Sequence, residues 1–207
     1  ANRMNYLINE LLTFSKIEMK QMRISVRKGD IMHFLEELSH IFDIVAGERE
    51  IDFIVNLEDT EEEVWFSPSK LERILYNLLS NAFKYTQPGG YVKLSAKLIK
   101  EEKETFVQIS VKDNGRGIPK EAQEQIFESY YQVEKRDHRE GFGLGLSLTR
   151  SLIHMHKGEI RVESEVNEGS DFIVTLNVSE DAYGPDERSS ENITTEEIQK
   201  YNQRIKE

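Results

Sequence analysis

Asn77, Asn81 and Lys84 follow one another at steps of four and three residues. Such steps place side chains on one line along a helix, and apolar residues from Leu71 to Phe83 fill the opposite side. In mid-helix, Asn is a poorer helix former than Glu or Lys by roughly half a kcal/mol, so two of them favour a ligand-binding role over a solvated face. Two carboxamide oxygens and an ammonium group in line suit Mg²⁺, which takes oxygen ligands, and the phosphates that surround it.

A second group begins at Asp113, at the end of a strand pattern, and continues through Asn-Gly-Arg to Gly117. Asn-Gly often forms a tight turn, which remains an alternative, but Pro119 here begins a helix instead of a returning strand. Gly115 and Gly117 then indicate a loop whose backbone approaches a flat ligand. The Asp113 carboxylate can accept a hydrogen bond from adenine N6, whereas guanine presents a carbonyl there, so this residue favours ATP over GTP.

A third group is the run Gly141-Phe-Gly143-Leu-Gly145-Leu146, which directly precedes a helical pattern from Ser147. The N-terminus of a helix offers free N–H groups and a positive dipole end to an anion. This placement favours phosphate binding more than the glycines alone do. The polar segment from Ser129 to Arg139 indicates either a lid whose cations reach the phosphates or a solvated loop.

Composition narrows the classes of function. The 207 residues include 27 Lys and Arg against 38 Asp and Glu, a net charge of −11, which disfavours binding to nucleic acid. There is no Cys, which excludes disulfides, thiolate nucleophiles and Cys-based zinc sites. No apolar run reaches the ~18 residues of a membrane helix, so we expect no membrane contact by this chain.

The elements that must position these groups divide the chain into three parts. Residues 1–28 carry a net charge of +4 and the apolar spacing of one long helix. This helix either packs on its own domain or forms half of a helical hairpin or dimer bundle. Residues 29–179 mix helix and strand patterns, with too few strand–helix–strand repeats for a doubly wound parallel sheet. Residues 180–207, with a net charge of −4, have the composition of a linker.

Periodicity predicts the elements of the middle part, and capping signals support two boundaries. Ser67 is the predicted N-cap of the central helix, and Thr194 to Glu197 matches a capping box near the C-terminus. The predicted helices cover 30–46, 68–84 and 145–158, with a short helix after Pro119. The predicted strands cover 50–57, 91–99, 105–112, 160–164 and 172–178.

Taken in order, these groups resemble the motifs of bacterial sensor histidine kinases. The similar segments are Asn77–Tyr85 to the N box, Asp113–Gly117 to the first glycine box, Ile126–Gln132 to the F box, Gly141–Leu146 to the second glycine box and Glu168–Phe172 to the last glycine motif. Five motifs in order, with fitting gaps over residues 29–179, make the resemblance specific, since no single motif identifies the family.

The resemblance implies an ATP-binding α/β (α+β) sandwich, in which helices cover one face of a mixed β-sheet and one long helix precedes it. It implies that Asn81 binds Mg²⁺ with help from Asn77, that Lys84 contacts phosphate, and that these three residues form the catalytic set. Asp113 would recognise adenine. The other implied nucleotide-binding positions are Tyr85, Gly115, Gly117, Ile118, Tyr131, Gln132, Gly141, Gly143, Leu144, Gly145, Leu146 and Ser170.

Residues 1–28 resemble the second helix of the family's dimerisation and phosphotransfer hairpin. The family's first helix carries a phosphoacceptor His followed by an acidic residue, and none of the five His residues here precedes Asp or Glu. The resemblance therefore implies a separate phosphoacceptor histidine domain, a response-regulator receiver domain, and a homodimer of the full-length protein. It also implies a cytoplasmic location, with the parent protein anchored in a membrane.

The residue four positions before Asn81 distinguishes enzymes that transfer the phosphoryl group from those that hydrolyse ATP. Type II topoisomerases, mismatch-repair ATPases and a heat-shock chaperone class share the nucleotide fold and usually have Glu there to activate water, whereas the Asn77 amide cannot take a proton. We therefore predict a protein-histidine kinase catalytic domain that transfers the γ-phosphoryl group of ATP by positioning and charge neutralisation and does not phosphorylate itself. The alternatives are a GHKL-type ATPase and an interaction module that binds no nucleotide.

Overall fold

The computed structural model describes Ser15 and residues 22–132, 143–194 and 196–198. Three predictions lie largely or wholly outside this part of the chain: the long N-terminal helix, the cationic portion of the proposed lid, and Gly141. The domain boundary at residue 28 also stays a prediction.

Within the described residues, seven strands form two sheets. Five strands form a mixed sheet in the order β2-β4-β5-β7-β6, with β2 parallel to β4 and the other neighbours antiparallel. β1 and β3 pair antiparallel in a separate small sheet. The strands are β1 Arg27–Asp30, β2 Asp52–Leu57, β3 Glu63–Phe66, β4 Tyr91–Lys100, β5 Thr105–Asp113, β6 Glu159–Glu165 and β7 Gly169–Asn177.

Four α-helices complete the described fold. They are α1 Ile31–Ser39, α2 Ile41–Arg49, α3 Pro68–Tyr85 and α4 Gly145–Met155, and single 3₁₀ turns cover Lys120–Ala122, Gln125–Phe127 and Glu180–Ala182. None of the helices in the described residues is both long and apolar enough to cross a membrane.

The helices cover one face of the five-stranded sheet. Along β4, Val92, Leu94 and Ala96 are buried, whereas Lys93 and Lys97 point to the other face. This alternation is typical of a strand with one covered face. On α3, residues at steps of three and four are buried against the same core: Leu71, Ile74, Leu75, Leu78, Leu79, Ala82 and Phe83. The predicted sandwich is confirmed.

Several predicted boundaries differ from the structure. The helix predicted over 30–46 is two helices, α1 and α2, separated at His40. The Ser39 hydroxyl donates to the Glu36 carbonyl at 2.6 Å, a local bond that competes with helix propagation. Ser67 precedes α3, but its side chain makes no capping bond; instead its backbone N–H donates to His156 Nε2 at 3.2 Å. The helix expected after Pro119 is a single 3₁₀ turn.

The segment after Ser179 packs on the domain in its described part. Tyr183, Ile193 and Ile198 are buried, and Arg27 pairs with Glu197 at 2.7 Å. The low apolar content of this segment suggested a linker, but its few apolar side chains are the ones that pack on the domain. The capping box is confirmed, because the Glu197 N–H donates to Thr194 Oγ1 and the Thr194 N–H donates to the Glu197 carboxylate, both at 3.3 Å.

Candidate nucleotide-binding site

Helix α3 carries Asn77, Asn81 and Lys84 along about 10 Å of its length, given a rise of 1.5 Å per residue. The Asn77 side chain reaches across to α4, where its Nδ2 donates to Thr149 Oγ1 at 2.8 Å. A Cβ placed on Gly145 would lie only 2.5 Å from Asn77 Oδ1. The first asparagine of the line therefore lies directly against the beginning of α4.

Asn81 is half-buried, and within the described part of the chain its carboxamide makes no hydrogen bond. A polar group in this state can accept a ligand without giving up a protein contact. No group of three His, Asp or Glu side chains that could hold a metal exists among the described residues. Two carboxamide oxygens nevertheless fit Mg²⁺, because this ion commonly takes one or two protein oxygens and completes its shell with water and phosphate.

The C-terminal end of α3 presents an aromatic ring that two cations contact. Lys84 Nζ donates to the Tyr85 hydroxyl at 3.1 Å and lies 4.7 Å from the ring centroid. The Arg116 guanidinium lies 4.2 Å from the same centroid, a distance typical of cation–π contacts. Arg116 was not predicted as a site residue from the sequence, although its position between Gly115 and Gly117 could have indicated that it belongs to the site.

Asp113 ends β5 as a buried carboxylate, with 4% of its surface exposed. Its Oδ1 accepts the Gly115 backbone N–H at 2.8 Å. Burial raises the pKa of Asp113 to about 6, and the nearby Asp171 charge acts in the same direction, while the backbone N–H groups of Gly115 and Ser170 oppose the increase. The carboxyl group is held in one orientation and has acceptor capacity left for a ligand amine.

The glycines of this loop lie where the protein's own backbone segments come close together. A Cβ on Gly115 would lie 2.4 Å from the Tyr85 carbonyl oxygen. A Cβ on Gly117, whose φ is +67°, would lie 1.9 Å from the Glu165 carbonyl oxygen. Chain segments approach each other here, because the loop passes between α3 and the end of β6, and this gives the two glycines a reason within the protein itself. That they also let a ligand approach stays a prediction.

Ser164 organises the side of the loop that follows Gly117. Its hydroxyl accepts the Ile118 N–H at 2.8 Å, donates to the Gly169 carbonyl at 2.7 Å and lies 3.1 Å from the Ser170 hydroxyl. Ile118 itself packs on the main core. Sequence reasoning missed Ser164, since a serine in a charged strand carries no local signal for this role.

The second glycine motif is described from Gly143 onward. Gly143 accepts the Tyr130 N–H at 2.9 Å, Leu144 is buried, and α4 begins at Gly145 without a side-chain cap. Among the described residues no side chain caps the first helical N–H groups, so these groups can bind an anion. Tyr131, Gln132 and Leu146, which were also predicted to contact the nucleotide, are half-buried. Tyr131 and Leu146 pack against the main hydrophobic core.

Comparison with known proteins identifies the family. Residues 66–180 match the model of the histidine kinase-, DNA gyrase B- and HSP90-like ATPases. This match covers more than half of the chain. The chain belongs to this family. The ATPase-like domain begins just before α3 and therefore contains every element described above as part of the site.

Similar curated proteins are histidine kinases. The chain is 34% identical to histidine kinase P4 of Formosa agariphila over 85% of its length, and 34% identical to sensor histidine kinase WalK of Bacillus subtilis over 87%. It is also 34% identical to the adaptive-response sensory kinase SasA of Crocosphaera subtropica over 84%. The chain spans 13%, 30% and 45% of these relatives, respectively. The predicted resemblance to sensor histidine kinases is confirmed.

Solved structures agree with this assignment. Full-length ShkA in complex with AMPPNP superposes with a TM-score of 0.75 at 25% identity, covering 86% of this chain and 36% of that one. The catalytic domain of histidine kinase ThkA superposes with a TM-score of 0.66 at 25% identity, covering 77% of this chain and 100% of that one. The ATPase-like domain thus has the fold of histidine kinase catalytic domains.

Proposed function

We propose that this chain binds Mg²⁺–ATP through the predicted residues and donates the γ-phosphoryl group to a histidine of a separate phosphoacceptor domain. The observation that supports it best is the position of α3. One end of this helix contacts the Asp113 loop through Tyr85 and Gly115, and its middle contacts the N-terminus of α4 through Asn77. A single helix thereby joins a site suited to a base and a site suited to phosphates.

The proposal assigns a role to each main residue of the candidate site. Asp113 accepts a hydrogen bond from the adenine amine, and the backbone N–H groups of Gly145 and Leu146, at the beginning of α4, bind phosphate oxygens. The carbonyl oxygens of Asn81 and Asn77 would hold Mg²⁺, which supplies charge neutralisation on the phosphates when bound. Lys84 adds a further positive charge. ShkA, whose structure contains AMPPNP, supports nucleotide binding by this fold.

Asn77 also supports transfer over hydrolysis. Its amide donates to Thr149 and cannot accept a proton, so it cannot activate water as a general base. A neutral histidine is nucleophilic enough to need little base assistance, and the task of the chain is then to orient the phosphoryl group.

The proposed partners lie outside the described domain. A phosphoacceptor histidine domain would receive the phosphoryl group and pass it to a response-regulator receiver domain, within a homodimer of the full-length protein. We place this domain in the cytoplasm, with the parent protein anchored in a membrane. The net charge of −11 supports the absence of a nucleic acid partner.

Calorimetric titration with ATP and GTP, each with and without Mg²⁺, tests the binding part of the proposal. We expect ATP to bind, Mg²⁺ to strengthen binding, and GTP to bind at least about tenfold more weakly, a difference of 1.4 kcal/mol or more. Asp113→Ala should abolish binding. Asp171→Ala is the matched control, since this neighbouring acid lies on the opposite face of the sheet and bonds Ser110. Equal affinity of wild type and Asp113→Ala would refute base recognition.

Incubation of the chain with γ-labelled ATP tests the reaction part. We expect no acid-labile phosphate on the chain, since none of its five His residues precedes an acidic residue. A labelled histidine in this chain would contradict a separate acceptor domain. Steady release of inorganic phosphate that Asn77→Ala abolishes would favour the hydrolytic alternative instead.

A further inference from the structure

A buried threonine on α4 contacts the candidate metal site. Thr149 has 1% of its surface exposed, and its Oγ1 accepts a hydrogen bond from Asn77 Nδ2 at 2.8 Å. The residues 77 and 149 lie 72 positions apart in sequence, so no local pattern links them. This bond joins the helix that carries both asparagines to the helix that begins at the second glycine motif.

The two ends of a carboxamide differ in what they can bind. Its oxygen accepts hydrogen bonds and coordinates cations, whereas its NH₂ group only donates. Asn77 is useful to a metal or to a phosphate-bound cation only when its oxygen faces the ligand. A side chain free to rotate its amide would present the wrong end part of the time.

Two contacts orient the Asn77 amide. The Thr149 hydroxyl accepts from the NH₂ end. The Oδ1 end lies against Gly145, the first residue of α4, where the positive end of the helix dipole favours an oxygen over an NH₂ group. Because glycine has no Cβ, the oxygen can occupy this place without steric overlap.

We propose that Thr149 is a positioning residue that orients the Asn77 carboxamide, so that its oxygen serves the Mg²⁺-bound phosphates. The inference rests on the proposed function, since it assigns a role within that nucleotide site. Thr149 touches neither metal nor nucleotide in this scheme. It acts through Asn77, as partners outside the immediate ligand shell commonly orient metal ligands.

Thr149→Val tests the proposal, because valine has nearly the shape of threonine and replaces the hydroxyl, and with it the acceptor for Asn77, by a methyl group. We expect the gain in ATP affinity on adding Mg²⁺ to fall about tenfold, the lower end of the usual cost of losing such a partner. Affinity for ATP in EDTA should change less than about twofold. Thr149→Ser restores a hydroxyl at this position and should retain the wild-type gain.

The ratio of the two affinities separates positioning from a merely structural role. A packing defect would weaken binding with and without Mg²⁺ alike and would not be rescued by serine in preference to valine. If Thr149→Val does not fold, Thr149→Ala serves in the same comparison. A wild-type Mg²⁺ gain in both the valine and the alanine variants would overturn the proposal.

A second measurement needs no nucleotide. The ¹⁵N side-chain amide signal of Asn77, identified by its absence in Asn77→Asp, should shift in Thr149→Val and remain in place in Thr149→Ser. An unchanged signal in the valine variant would overturn the inference while leaving nucleotide binding intact. Wild-type protein that shows no Mg²⁺-dependent ATP binding would instead refute the proposed function, and with it the role of Thr149.

Discussion

At the scale of single residues, burial and hydrogen bonds determine the charge of two groups that are far apart in sequence. Burial lowers the pKa of His156 to about 4, and the charge of Lys70 acts in the same direction. Its Nδ1–H donates to the Leu152 carbonyl at 2.9 Å, and its Nε2 accepts the Ser67 N–H at 3.2 Å. A position near a helix C-terminus favours imidazolium, but complete burial outweighs this effect.

Asp113 and His156 give opposite contributions to the pH dependence of stability. The raised pKa of Asp113, from 3.8 to about 6, contributes stability that is present below pH 4 and lost as pH rises through about 6. The lowered pKa of His156, from 6.5 to about 4, contributes stability that is present above pH 6.5 and lost as pH falls toward 4. Each contribution is about 3 kcal/mol.

We expect Asp113→Asn and His156→Gln to reveal these contributions. The unfolding free energy of Asp113→Asn, relative to wild type, should increase by about 3 kcal/mol between pH 4 and pH 7. For His156→Gln the relative value should decrease by a similar amount over the same range. Urea titrations at half-unit pH intervals measure both differences, and a difference that does not vary with pH would show that the group titrates normally in the folded protein.

At the scale of elements, the contact between α3 and α4 couples the asparagines to the second glycine motif. Asn77 Oδ1 occupies the space where a side chain on Gly145 would lie. An alanine there would displace a carboxamide that is also held by Thr149. From the sequence pattern, Gly145 was explained by phosphate binding at the beginning of a helix. The structure adds a second reason, because a side chain at this position would overlap the Asn77 carboxamide.

Gly145→Ala should therefore weaken Mg²⁺–ATP binding by about tenfold or more, with little loss of stability because alanine favours helix by up to about 1 kcal/mol. Gly47→Ala is the matched control. Gly47 also lies in a helix, α2, and a Cβ there would meet nothing within 4 Å. The control should gain about 0.5–1 kcal/mol of stability and keep its affinity for ATP. Wild-type affinity in Gly145→Ala would contradict the coupling.

At the scale of the whole molecule, the small sheet and the C-terminal segment stabilise each other. Residues near β1 pair with the segment through the backbone, since the Val26 N–H donates to Glu187 and the Ile193 N–H donates to Lys28. Ile193 also covers Gly29, where a Cβ would lie 2.9 Å from it. The two-stranded sheet is thus covered by a part of the chain that its own sequence does not indicate.

Removing residues 180–207 should lower the unfolding free energy by several kcal/mol, because burial of each large apolar side chain contributes about 1.5–3 kcal/mol and Tyr183, Ile193 and Ile198 are lost together. Removing only residues 199–207 is the control; this chain keeps all three apolar side chains and should be the more stable of the two. Denaturant titration measures both. Equal stability of the two shortened chains would show that residues 180–198 contribute nothing to the stability of the fold.

The sequence predicted α3 and the strands β4 and β5 well, because long periodic patterns are local and are read directly. It did not predict β1 and β3. Each of these strands has only four residues, and they are stabilised by pairing with each other and by a distant segment. Ser164 and Arg116 were missed for the same reason. Their importance lies in what they touch, and their partners come from other strands and helices.

By itself, the sequence determined the family and the order of its motifs, since helical spacing, a terminal strand acid and glycines before a helix are properties of neighbouring residues. Only the tertiary structure decided three other features. The Asn77 side chain is hydrogen-bonded to a residue of α4, burial raises the pKa of Asp113, and Gly115 and Gly117 lie where backbone segments come close together. The physical reason is that hydrogen-bond partners, burial and close backbone approach depend on residues that are distant in the chain and meet only after folding.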